Sequence, residues 1–175
     1  MAENNIPVRP WKKIVPESHY RIIEGVLYSY SSKIQTVADW KESVLYSSRK
    51  PDDGMPRGHA RISDPTAMAA ERLNNPPPRI LEAMQWINVV DEALRIMRKK
   101  DLREDSHLWD ICRAVYRLES LPSRYGARSK ASIYRELATK FYMSERNVRN
   151  DKDLAVEHVW IVAIHNGMLE PYTDD

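Results

Sequence analysis

The residues best equipped for chemistry lie between Ser129 and Asp153. Arg146, Arg149 and Asn150 follow Ser144 at spacings that share one side of a helix, with Glu145 at its first turn. Arginine can pair bidentately with guanine and asparagine with adenine, so Glu145, Arg146, Arg149 and Asn150 are candidate base readers. Lys130, Arg135, Lys140 and Lys152 surround them. These four are candidate phosphate contacts, which supply affinity but little sequence information. The charge distribution agrees. Residues 113–152 hold ten Lys/Arg against four acids, whereas residues 153–175 hold no Lys or Arg. The whole chain carries only +2. Concentrated positive charge is the footprint expected where phosphates are neutralised.

Two helices must position this set. The run from Ser129 to Asp151 reads as a helix-turn-helix, with Leu137, Phe141, Met143 and Val148 at its apolar positions. Ala138 falls where the helices cross closely, and Ser144 where the second helix needs an N-cap. In such a unit the second helix offers its first residues to the major groove while the first lies across the backbone. Tyr142 stands where glycine is usual and φ can be positive, and Asp151 where an apolar residue usually closes the unit. Apolar spacing carries the second helix on through Ala155, Val159 and Ala163 to Asn166-Gly167, a C-terminal stop.

The remaining elements are also predicted helical, so the fold expected is all-α: an N-terminal helical region, then the helix-turn-helix with a long terminal helix. Residues 1–17 read as an arm, 18–101 as a helical assembly region and 102–175 as the DNA-binding region. Ser18 is expected to cap a helix through Tyr30, and a second helix holds Ile34, Val37 and Leu45. Residues 49–63 lack periodicity and read as a mobile linker. Asp64-Pro65 starts a short helix that stops before Pro76-Pro77-Pro78. The next spans about 79–100 with an apolar arc wider than a surface helix needs. That arc suits a central core helix first; the other reading makes Trp86, Val89 and Ile96 the candidate subunit interface of a homo-oligomer. A further helix around Leu108–Leu118 ends near Leu121-Pro122.

Other chemistries find less support. The five histidines form no pair at helical metal spacing with a third ligand in view. Cys112 lies on an apolar helix face and reads as a small buried hydrophobe. No glycine-rich loop cradles phosphates, and no nucleophile has a base in reach, so neither catalysis nor a cofactor or metal is expected. The five tryptophans are spread one per segment and read as packing anchors. Apolar runs are too short to span a bilayer, and no apolar stretch follows the N-terminal charges. A cytoplasmic setting is expected.

In layout the chain resembles phage transcriptional regulators of the RinA and ArpU type. The likeness rests on Ile22-Ile23-Glu24-Gly25-Val26-Leu27, the start at Ser63-Asp64-Pro65-Thr66, Ile87-Asn88-Val89-Val90-Asp91-Glu92-Ala93-Leu94, and a sigma-factor-like unit around Met143-Ser144-Glu145-Arg146-Asn147-Val148. The resemblance implies sequence-specific binding of double-stranded DNA, contact with RNA polymerase and a bacterial host. Two other readings stand beside it: a small terminase subunit for phage DNA packaging, and a helix-turn-helix that binds protein only.

Overall fold

The computed structural model describes residues 15–47, 65–104, 106–118 and 129–171. Every element among them is helical: α1 Glu17–Ser47, α2 Pro65–Asn74, α3 Pro78–Glu104, α4 Leu108–Tyr116, α5 Lys130–Lys140 and α6 Glu145–His165. The all-α expectation holds. Of the arm expected at 1–17, residues 1–14 lie outside the described residues and Glu17 already begins α1; the linker at 49–63, the cap at Asp64 and the stop at Leu121-Pro122 also lie outside them.

The largest departure is α1, expected as two helices and found as one of 31 residues. Nothing in Ser31-Ser32-Lys33 removes a backbone donor or forces a positive φ, so the chain has no reason to break there. The hydroxyls that could compete with the backbone bond back into the helix instead: Ser29 to the Gly25 carbonyl at 2.8 Å, Thr36 to Ser32 at 2.9 Å and Ser43 to Trp40 at 2.7 Å. Ser18 is inside the first turn rather than its cap, because the Pro16 carbonyl already accepts the Tyr20 N–H at 2.8 Å.

One core serves α1, α3, α4, α5 and α6. Ile23 and Leu27 of α1 meet Val90, Ala93 and Met97 of α3 and Val156 and Val159 of α6, all fully buried. The core is continuous across residues 101 and 102. Asp101, near the end of α3, even caps the next helix. Its carboxylate accepts the N–H groups of Leu108 at 3.0 Å and Trp109 at 2.8 Å, free donors of the α4 first turn. A small satellite core of Val37, Ile80 and Ala83, with Trp40 and Met84 against it, lies at the far end of α1 and α3. Tyr30 donates to Asp91 and Val37 neighbours Ile80, so the two long helices run antiparallel.

The wide arc of α3 is filled by the chain itself. Trp86 and Val89, candidates for a subunit interface, belong to the main core and are 5% and 1% exposed. The correction has a simple cause: an apolar arc reports how much of a helix is covered, not which chain covers it. Of the three residues, only Ile96, 37% exposed, faces solvent.

Candidate nucleic-acid interface

α5 begins where the Ser129 hydroxyl accepts the Ser132 N–H at 3.3 Å. Its inner face buries Ile133, Leu137 and Ala138. The helix ends in a tight reversal in which the Met143 N–H reaches back to the Ala138 carbonyl at 3.0 Å. That reversal requires a left-handed residue, and Tyr142 supplies it with φ +53°. A side chain at such a φ is disfavoured; the Tyr142 ring is 98% exposed and gains no packing in return. Ser144 then caps α6, its hydroxyl accepting the Asn147 N–H at 3.1 Å. Val148 is buried against the core, which fixes the rotation of α6 about its axis.

With that rotation set, the four candidate base readers divide. Arg146 is exposed, Asn150 is half-buried, and neither is engaged by a carboxylate among the described residues. Glu145 instead lies between two cations, 3.6 Å from Arg135 Nε on α5 and 3.7 Å from Arg149 on its own helix. Arg149 also sits 5.5 Å from the centre of the Tyr134 ring. These are exposed contacts, worth at most about 1 kcal/mol each, so they orient the side chains without locking them.

The phosphate candidates divide as well. Arg135 is open to solvent. Lys140 is exposed, 3.9 Å from Asp110 and 4.7 Å from the Phe141 ring centre. Lys130 rests 4.7 Å from the Tyr28 ring centre, and a hydrogen bond with the Tyr28 hydroxyl holds its ammonium pKa above the ordinary value. Lys152 departs from expectation. Its side chain is only 13% exposed and points inward to Asp153 at 2.9 Å, the Tyr20 hydroxyl at 2.5 Å and Glu24 at 3.5 Å. Burial alone would lower its pKa, but the bonds to Tyr20 and Asp153 outweigh that and raise it. Lys152 is a largely covered clasp between α1 and α6, its ammonium taken up by Tyr20, Asp153 and Glu24 instead of standing open to a phosphate.

Asp151, where an apolar residue was expected, is half-buried between α6 and the α3–α4 junction. Burial raises its carboxyl pKa, against the pull of His107, which lowers it. His107 in turn stacks on Phe141, ring centres 4.1 Å apart and planes 12° apart, fastening the turn to the start of α4. Cys112 is fully buried, and burial pushes its thiol up to about 12, too high for a nucleophile at neutral pH. Among the described residues no group of three or more His, Cys, Asp or Glu could hold a metal, and no helix is long and apolar enough to cross a membrane.

Reading the sequence for cations from residue 113 onward left out a set on α3. Arg95, Arg98, Lys99 and Arg103 recur at i, i+3, i+4 and i+8, a spacing legible without coordinates. No protein-family model, curated protein or solved structure matches the chain.

Proposed function

We propose that the chain is a sequence-specific DNA-binding protein in which α5 and α6 act as a helix-turn-helix. The observation that carries this reading is the first two turns of α6. A Ser-capped helix start, reached from α5 through a tight reversal, presents exposed Arg146 and half-open Asn150 together. A capped start of this kind suits the major groove, where Arg146 takes guanine and Asn150 adenine. Arg149 and Glu145 join as an ion-paired second set, free to exchange partners at the surface. Lys130, Arg135 and Lys140 hold the backbone. On the resemblance to RinA and ArpU regulators, the proposed role is transcriptional control in a phage or prophage, with RNA polymerase as partner.

Selection of bound duplexes from a random library tests the reading. An enriched motif is expected, with Arg146→Ala costing roughly 1–3 kcal/mol on that motif and relaxing the base choice. Lys140→Ala is expected to weaken all sequences alike and reduce the salt slope by about one. No enriched motif, or an unchanged motif in both Arg146→Ala and Asn150→Ala, would remove the reading and leave a protein-binding module.

A small terminase subunit is the second reading. It is favoured by the far end of α1, α2 and α3, where Leu45, Tyr46, Met68 and Leu81 are 42–62% exposed beside a three-residue core. Exposed apolar side chains on a helical hairpin suit ring assembly. Light scattering separates the two: a large ring speaks for packaging, a dimer for regulation.

A further inference from the structure

The last turns of α3 carry cations that the α5–α6 unit does not use. Arg95, Arg98, Lys99 and Arg103 form one exposed stripe, while Ala93 and Met97 on the opposite side are fully buried. One neighbouring acid engages the stripe, at Arg95, and two others are held away from it. Asp101 caps α4, Glu104 lies 3.8 Å from Lys100, and Glu92 lies 3.9 Å from Arg95. Among the described residues no carboxylate pairs with Arg98, Lys99 or Arg103. Arg98, Lys99 and Arg103 are therefore a field of net positive charge without a carboxylate partner among the described residues, while Arg95 is shared with Glu92.

It is also connected to the candidate interface. The Arg98 guanidinium lies 5.2 Å from the centre of the Trp109 ring, and Arg113 lies 4.1 Å from the same ring. Asp110, the next residue of α4, reaches Lys140 at the end of α5. A chain of contacts thus runs from Lys140 through Asp110 and Trp109 of α4 to the α3 stripe. The shared indole restrains Arg98 and Arg113, so less side-chain freedom is lost when an anion binds them.

We propose that the α3 stripe is a second DNA-backbone surface, holding phosphates of the duplex beyond the stretch that α6 reads. The inference rests on the reading of α5–α6 as a DNA-binding unit. Charge complementarity and spacing carry it. From Arg95 to Arg103 the helix rises about 12 Å, room for roughly three or four phosphates along one strand. The cations are exposed along a regular helix face, which suits a regular polyanion better than one particular acidic peptide.

The test is the full chain carrying Arg98→Gln, Lys99→Gln and Arg103→Gln together. Glutamine is a good helix former, and an unchanged helical spectrum and melting temperature check the fold. Binding is measured against salt on the selected motif in a duplex of about 15 base pairs and in one of about 40; each lost phosphate contact lowers the slope by about 0.9. The expected result is a slope reduced by about 2.7 on the long duplex, little change on the short one, and an unaltered motif. An unchanged slope and affinity on the long duplex, while Arg146→Ala still relaxes the motif, overturns the stripe and leaves the α6 reading standing. The converse result, a reduced slope for the triple variant with no motif to relax, removes the α6 reading and overturns the proposal with it, leaving the stripe a phosphate surface without an adjoining reader. An equal fall on both lengths places the stripe inside the α6 footprint and overturns the proposal. Unchanged DNA binding with lost binding to poly-glutamate also overturns it, in favour of an acidic protein. A wild-type chain that binds neither duplex overturns both.

Discussion

The two ends of the α1–α3 pair are built differently. Near α6, Ile23, Leu27, Met97, Ile111 and Val156 interlock from four helices with no exposure at all. At the far end Val37, Ile80 and Ala83 keep 6–7% exposure and meet only partly covered neighbours. Burial on this contrast makes the α6 end the stable unit and the far end a low-stability extension. The rigid end is also where the candidate base readers sit. Such side chains need a fixed platform, because a small misplacement separates a bidentate pair.

The contrast makes its largest demand on core truncation. Met97→Ala is expected to cost about 2–5 kcal/mol in urea unfolding. Val37→Ala, which removes two methyl groups from a looser site, is expected to cost less than about 2 kcal/mol. Equal losses would mean that the two ends share one cooperative core. Hydrogen exchange sharpens the point: amides of residues 34–46 should exchange before those of 155–163.

Asp101→Ala tests how the rigid end is locked. Losing the bonds to Leu108 and Trp109 is expected to cost roughly 0.5–2 kcal/mol, the usual range for a helix cap. A melting temperature unchanged within error would show that packing alone places α4.

Tyr142→Gly should act in the opposite direction. The ring makes no packing contact to lose, and glycine accepts φ +53° without strain. A gain of up to about 1 kcal/mol is expected, partly offset by the greater freedom of the unfolded glycine. For a chain of this size that is a melting shift of about 2–4 °C. A loss of stability would mean that Tyr142 contributes something its exposure does not reveal.

The smallest effect is read in pH. His158 faces Lys100, Asp101 and Glu104, and its Nε2 is buried without a hydrogen-bond partner among the described residues. Burial, aided by Lys100, lowers its pKa below 6.5. The unfolded chain therefore takes up the proton first, so stability is full above that value and declines as pH falls through it. His158→Gln should flatten this decline between about pH 7.5 and 5.5. An identical profile in the variant would assign the slope to other groups.

Much of this was legible in the sequence wherever the signal is local. Ser144 as a cap, Pro65 at a helix start and Gly167 in the left-handed position after α6 each depend on a few neighbouring residues. Tyr142 was legible too, as the residue standing where a positive φ is needed. What escaped is decided at long range. Lys152 turns inward because Tyr20 and Glu24, more than 120 residues earlier, offer it partners. Trp86 and Val89 pack inside one chain because α1 and α6 reach them, which no periodicity can report. The unbroken α1 was legible in principle: Ile23, Leu27, Tyr30, Val37 and Val44 keep one face of a single helix across Ser31-Ser32, whose hydroxyls resemble a break until the backbone is seen.

That unbroken helix has a mechanical consequence. Thirty-one residues make a strut about 46 Å long, more than the 34–36 Å of one turn of duplex DNA. One end is bolted to α6 through Tyr20 and the Lys152–Asp153 pair, and the other carries Leu45 and Tyr46. With no hinge between them, anything fastened at the far end is carried at a fixed stand-off from whatever α6 engages. Turning one end turns the other by the same angle.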